Sequence, residues 1–140
     1  MAPPRTIAIT MGDPAGIGAE VVLKALRERP PEPPAAFYVF GDGNALMEHC
    51  RAVGLPFELP VIPLAAFRRQ APGETCLVDF DNVHGRLQFG IERSDYGRAS
   101  MEYIEEAVFG CMAGRLDALI TAPINKQSIH LAGYDFPGHT

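Results

Sequence analysis

Apolar and polar positions alternate with two different periods along this chain, and the period changes at glycines and prolines. Residues 6–10, Thr-Ile-Ala-Ile-Thr, alternate with period two and predict a first strand. From Ile17 the apolar positions Val21, Val22, Ala25 and Leu26 recur at helical spacing, predicting a helix to about residue 29. Phe-Tyr-Val-Phe at 37–40 predicts a buried strand ended by Gly41-Asp42-Gly43. Residues 44–53 predict a helix closed by Gly54. Short strands follow at 58–62 and 75–79. A long helix is predicted over 95–113, with Met101, Ile104, Val108 and Cys111 on one face, Ser94 or Asp95 as its cap, and Gly114 as its end. Residues 116–121 form the last predicted strand. Asn125 then caps a short helix reaching Ala132, which Gly133 stops.

Alternating strands and helices predict a three-layer α/β/α fold on a largely parallel sheet. The proline cluster at 30–34 cannot continue a helix and predicts a stiff connection of polyproline II type. In such sheets ligands bind beyond the carboxyl ends of the strands. The turns at 11–18 and 121–126, both strand-to-helix, are therefore placed on the functional edge.

Composition narrows the class. Hydrophobic residues make up 47% and charged residues 21% of the 140 residues, ordinary for one globular domain. A net charge of −5 with scattered arginines argues against a nucleic-acid surface. No signal peptide or stretch long enough to cross a bilayer is visible, so no membrane partner is expected. The three cysteines, at 50, 76 and 111, are widely spaced. This predicts reduced, mostly buried thiols in a cytoplasmic protein rather than disulfides or a CxxC site. The histidines at 49, 84, 130 and 139 lack metal-ligand spacing and, the last apart, are expected as surface or satisfied core groups.

Three short motifs could carry chemistry. In the first turn, Gly12, Gly16 and Gly18 allow close backbone approach, and the helix start behind them favours an anion. Asp13-Pro14 could instead cap a helix that begins at the proline. The spacing matches neither GxGxxG nor GxxxxGK[ST], so a plain tight turn stays open. The second turn, Thr121-Ala122-Pro123-Ile124-Asn125-Lys126, places a hydroxyl, an amide and an ammonium at a helix start. Lys126 there either meets an anionic partner or sits in solvent. The last motif, Phe-Pro-Gly-His-Thr at 136–140, can present the His139 imidazole beside the Thr140 hydroxyl, for hydrogen bonding or acid–base work, or be an unremarked terminal turn. The glutamates at 102, 105 and 106 read as the wet face of the long helix.

Taken together and in order, these motifs resemble one family. Ile-Thr-Met-Gly-Asp-Pro-Ala-Gly-Ile-Gly-Ala-Glu at 9–20, Leu-Ile-Thr-Ala-Pro-Ile-Asn-Lys at 119–126 and Ala-Gly-Tyr-Asp-Phe-Pro-Gly-His-Thr at 132–140 are similar to the signatures of the 4-hydroxythreonine-4-phosphate dehydrogenases. The resemblance implies an isocitrate/isopropylmalate dehydrogenase-like fold of two α/β domains, with residues 1–140 as the N-terminal part. It implies a homodimer, NAD or NADP as oxidant, and a divalent metal (Zn, Mg or Co) assisting oxidation and decarboxylation of 4-phosphohydroxy-L-threonine in pyridoxal phosphate synthesis. His139 and Thr140 match a pair that contacts the small phosphorylated hydroxy-acid substrate, with Lys126 nearby. The family's metal-binding histidines, phosphate-binding basic residues and much of its cofactor site come later in longer chains. Sister enzymes oxidise threonate or erythronate 4-phosphate, and another relative an aromatic dihydrodiol. The alternatives are thus a sister dehydrogenase, a non-catalytic truncated remnant, or a simple anion-binding module.

Overall fold

A computed structural model describes residues 5–28 and 35–135. The predicted polyproline connection and the 136–140 motif lie outside the described residues. The chain runs β1 (Arg5–Thr10), α1 (Gly18–Glu28), β2 (Ala35–Gly41), α2 (Gly43–Val53), β3 (Val61–Pro63), α3 (Leu64–Arg69), β4 (Cys76–Asp79), α4 (Ser94–Met112), β5 (Ala118–Thr121) and α5 (Lys126–Leu131).

The five strands form one parallel sheet in the order β3-β4-β2-β1-β5. The α/β architecture follows the sequence reading. α1 and α2 cover one face of the sheet, and α3 and α4 cover the other. The pleat sorts β2 between the faces: Tyr38 and Phe40 meet the α3 ring of Phe67 at 5.1 and 5.3 Å. Phe37 lies against α1 on the opposite side.

Element ends follow local chemistry. Asp42 caps α2, its side chain accepting the Ala45 N–H, and Gly54 closes that helix at φ 72°. Asn125 caps α5 through the Ser128 N–H, as expected. Gly114 and Gly133 take the left-handed turns that stop α4 and α5.

Four expectations need correction. The strand placed at 58–62 is only Val61–Pro63, and a short helix, α3, follows it unannounced because six residues are too few to establish a helical period. Neither Ser94 nor Asp95 caps α4. Arg93 holds the cap position without a side-chain bond, and its guanidinium binds the Asp95 carboxylate at 2.6 and 2.9 Å. The face of α4 that meets the sheet is Tyr96, Ala99, Ser100, Tyr103, Ala107 and Gly110, and the Met101–Ile104–Val108–Cys111 stripe is buried only in part: Met101 is buried and Cys111 packs against the core, but Val108 is 41% exposed. Both stripes recur at helical spacing, and the sequence has no means of saying which meets the sheet. Finally, Glu106 is not simply wet: it receives Arg68 of α3 at 2.5 Å, and Glu102 accepts from Asn82.

The three thiols are free, with Cys50 and Cys76 buried and Cys111 partly so. Burial pushes the Cys76 thiol up to about 11, which makes it a core side chain rather than a nucleophile. Among the described residues, no helix is long and apolar enough to cross a membrane.

Among the described residues the sheet is open at β5, which there pairs only with β1. Beside that edge runs an apolar groove of about 360 Å³ between α1 and the sheet, lined by Ile9, Val21, Ala25, Phe37 and Ile120 among others. Val21 and Ile120 are each about half exposed. Parallel sheets are normally covered on both faces, and open edges with apolar flanks associate. The 140-residue chain is therefore expected to self-associate at micromolar concentration. The double substitution Val21→Glu, Ile120→Glu should weaken association about tenfold or more, since each apolar side chain contributes ~1.5 kcal/mol when covered. Sedimentation velocity checks this; a monomeric wild type would contradict it.

Candidate functional site

The topology places the site. From β1 the chain crosses through α1 to β2 on one side. From β4 it returns through α4, past β2 and β1, to β5 on the other side. The strand order therefore reverses between β1 and β5. This is where an open α/β sheet forms a ligand crevice beyond its strand ends. The two turns marked in the sequence, 11–18 and 121–126, leave these two strands and meet there.

They meet closely. Gly12 sits at φ 78°, and a Cβ on it would collide with the Pro123 carbonyl. The Asp13 N–H donates to that same carbonyl at 3.1 Å. A Cβ on Gly18 would strike the Met11 carbonyl and approach the Ala122 methyl to 2.9 Å. Gly16 has only ordinary contacts. Glycine is thus sterically required at 12 and 18, where backbone passes backbone.

Asp13 does not cap a helix starting at Pro14. The helix begins at Gly18, and the Asp13 Oδ1 accepts the Ala15 N–H at 2.8 Å while its carbonyl accepts the Gly16 N–H at 3.0 Å. That is an Asx turn, which satisfies nearby amides without continuing into helix. It also changes the chemistry of the turn. The amides of residues 13, 15 and 16 already bond to protein oxygens, and a carboxyl occupies the turn, so this geometry favours the tight-turn reading over an anion cradle.

A third segment closes the site. The Gly90 N–H donates to the Ala15 carbonyl at 2.8 Å. The loop carrying Gly90 is tied down along its length: Asp42 accepts the Asn82 and Val83 N–H groups, Glu48 that of Leu87, and the Tyr96 hydroxyl that of Gln88. His49, expected as a surface or satisfied core group, is the latter. It is buried, its Nε2 donates to the Pro14 carbonyl at 2.7 Å, and its ring meets Phe89 edge-on at 4.9 Å. These contacts join residues far apart in sequence, which is why spacing gave no hint of His49, Asp42 or Glu48.

The three segments enclose a crevice of about 260 Å³ lined by Asp13, Gly16, Ile17, Ile91, Ile124 and Asn125 among others. Asp13 is the titratable side chain among these lining residues. Burial raises its carboxyl, the Ala15 amide and the Ser128 hydroxyl pull it down, and Glu92 and Asp95 push it up again. Lys126 stands exposed at the start of α5, and among the described residues no carboxylate forms an ion pair with it. His139 and Thr140 lie outside the described residues. No group of three His, Cys, Asp or Glu among the described residues could hold a metal ion, so no metal-dependent step is assigned to them.

A doubly wound parallel sheet with a crevice at its topological switch point defines the class as an open α/β fold. Its relatives narrow this further. Residues 34–140 match the family model for the pyridoxal phosphate biosynthetic protein PdxA, and the chain belongs to that family. It is 37% identical to the D-threonate 4-phosphate dehydrogenase of Cupriavidus necator, over 96% of this chain and 40% of that one. It is 32% identical to the 4-hydroxythreonine-4-phosphate dehydrogenase of Trichlorobacter lovleyi, over 99% of this chain and 42% of that one. The crystal structure of a 4-hydroxythreonine-4-phosphate dehydrogenase from Burkholderia phymatum superposes with a TM-score of 0.83 at 34% identity, again over 99% of this chain and 42% of the other. The chain spans about two fifths of the length of these relatives.

Proposed function

We propose that this chain is the N-terminal part of an NAD(P)- and divalent-metal-dependent dehydrogenase that oxidises and decarboxylates 4-phosphohydroxy-L-threonine, with the remaining machinery supplied by further polypeptide. The observation that carries the reading is the convergence of two family-like turns, 11–18 and 121–126, on one switch-point crevice. The family match supports the same assignment. A second reading, D-threonate 4-phosphate as substrate, is favoured by the 37% identity to the Cupriavidus enzyme. Both substrates are 4-phosphorylated hydroxy acids, and both reactions remove hydride from an alcohol carbon to the nicotinamide.

The part played by these residues is positioning. Rigid turns hold substrate against the strand ends, which converts binding into orientation. Lys126, free of any ion pair with the described carboxylates, favours the negative charge of carboxylate and phosphate. His139 and Thr140 hydrogen-bond the substrate and fix the carbon that faces the nicotinamide. A homodimer completes the enzyme, and the reaction belongs to the cytoplasm.

The test is a chimera in which this chain replaces the matching part of the Burkholderia phymatum enzyme. NAD(P)H formation is then measured with each 4-phosphate. Activity on 4-phosphohydroxy-L-threonine is the expected result; preference for D-threonate 4-phosphate selects the second reading. A folded chimera inactive on both overturns the assignment. In the active chimera His139→Ala should lower kcat/KM about 10- to 150-fold, the loss of one hydrogen bond to a charged or polarised group. Metal affinity should stay nearly unchanged.

A further inference from the structure

α5 is six residues long, too short to keep its place as an isolated helix. Its position is set by what it packs against, and among the described residues α4 is its main packing partner. The contact is backbone on backbone. A Cβ on Gly97 would collide with the Ser128 carbonyl and come within 2.6 Å of the Ile129 nitrogen. Gly97 lies in the first turn of α4, its N–H donating to the Arg93 carbonyl at 3.0 Å. Glycine is poorer than alanine inside a helix, so its presence there marks a competing requirement. The requirement is space: any side chain at 97 would hold α5 away.

Ser128 secures the docked helix. It is fully buried, and its Oγ accepts the Arg93 N–H at the start of α4 at 3.2 Å. Its own N–H donates to the Asn125 side chain at 2.8 Å, the bond that caps α5. Its carbonyl, which lies over Gly97, accepts the Ala132 N–H at 3.1 Å. One residue thus belongs both to the α4 contact and to the cap. Asn125 lines the crevice, and Lys126 comes next in the chain.

We propose that Gly97 and Ser128 are positioning residues for Lys126: together they seat α5 on α4, and that seat sets where the ammonium meets a substrate anion. The bond from Asp13 to the Pro123 carbonyl and the close approach at Gly12 fix the start of the second turn. Gly97 and Arg93 fix its end. Misplacing a binding group by about 1 Å can cost on the order of a hundredfold in rate, so a small displacement of α5 matters.

The inference rests on the proposed part of Lys126 for its effect on turnover; the seat itself is read in this 140-residue chain without substrate. Amide NMR shifts of Asn125 and Lys126, which do not touch residue 97, are compared in wild type, Gly97→Ala, Ser128→Ala and Gly110→Ala. Gly110→Ala is the control, an α4 glycine whose Cβ would meet only the side chain of Leu116. Gly97→Ala should displace both amides, Ser128→Ala should displace them less, and the control should leave them native. Native 125–126 shifts in Gly97→Ala would overturn the proposal. Should that variant fail to fold, native shifts in Ser128→Ala would do the same. In the active chimera, Gly97→Ala and Lys126→Ala should each lower kcat/KM about tenfold or more. The double variant should fall no more than about twofold below the worse single one, because residue 97 acts through Lys126. Losses that multiply would show a general structural effect and overturn the positioning role, as would full activity in Lys126→Ala. A folded chimera inactive on both 4-phosphates would overturn the dehydrogenase assignment instead, and the amide shifts would still decide the seat.

Discussion

Gly12→Ala is expected to destabilise the chain by about 3–5 kcal/mol, combining a left-handed backbone with a backbone collision. The φ of 78° alone is unfavourable for any residue with a Cβ, and that Cβ would also occupy the space of the Pro123 carbonyl. The obstacle is backbone, so no rotamer change relieves it. The turns at 11–18 and 121–126 must separate, breaking the 3.1 Å bond from the Asp13 amide to that carbonyl. Gly16→Ala is the matched control: its Cβ would find the Asp13 carbonyl at an ordinary 3.5 Å, and φ there is not left-handed. Urea denaturation followed by circular dichroism should give a much lower midpoint for Gly12→Ala and a nearly native one for Gly16→Ala. Equal midpoints would mean that the turns do not depend on this approach.

Asp42→Ala should be comparably damaging, by about 3–7 kcal/mol, because one buried carboxylate serves three amides. Its Oδ1 takes the Ala45 N–H at 2.9 Å, and its Oδ2 takes those of Asn82 and Val83 at 3.0 Å each. Alanine removes the α2 cap and leaves the start of the 82–93 loop unsatisfied in the interior. Losing the cap alone costs about 1 kcal/mol. Leaving the two loop amides without acceptors adds about 1–3 kcal/mol each where no water reaches them. The effect should extend to the crevice, since this loop carries Gly90 against the first turn. Hydrogen exchange gives the check: amides 82, 83 and 90 should lose protection together in Asp42→Ala. Loss of protection confined to α2 would show that Asp42 acts only as a cap.

Both residues mark the border between what local sequence specifies and what it leaves to the fold. A glycine at the end of a strand announces a turn, and Gly12 was legible as part of one. Nothing local says that Pro123, 111 positions away, fills the space where its side chain would be. Asp42 reads as a turn residue between two glycines, and its capping of α2 is local chemistry. Its grip on Asn82 and Val83 depends on β2 and β4 lying side by side, which only strand pairing decides.

The sequence by itself determined the alternation of strands and helices, the parallel α/β class, the caps at Asn125 and Gly54, and the three motifs that carry the family resemblance. These depend on period, propensity and neighbours within one or two turns, so a linear reading contains them. Tertiary structure decided the rest: which stripe of α4 meets the sheet, that β5 is an edge among the described residues, and that β1 and β5 stand together at the switch point. It also decided the state of Asp13. In the sequence it looked like a helix cap; in the fold its backbone and Oδ1 close an Asx turn while the other oxygen is buried beside Ser128, Glu92 and Asp95. Burial and electrostatic field are properties of the packed surroundings, and those surroundings come from stretches of chain far apart in sequence.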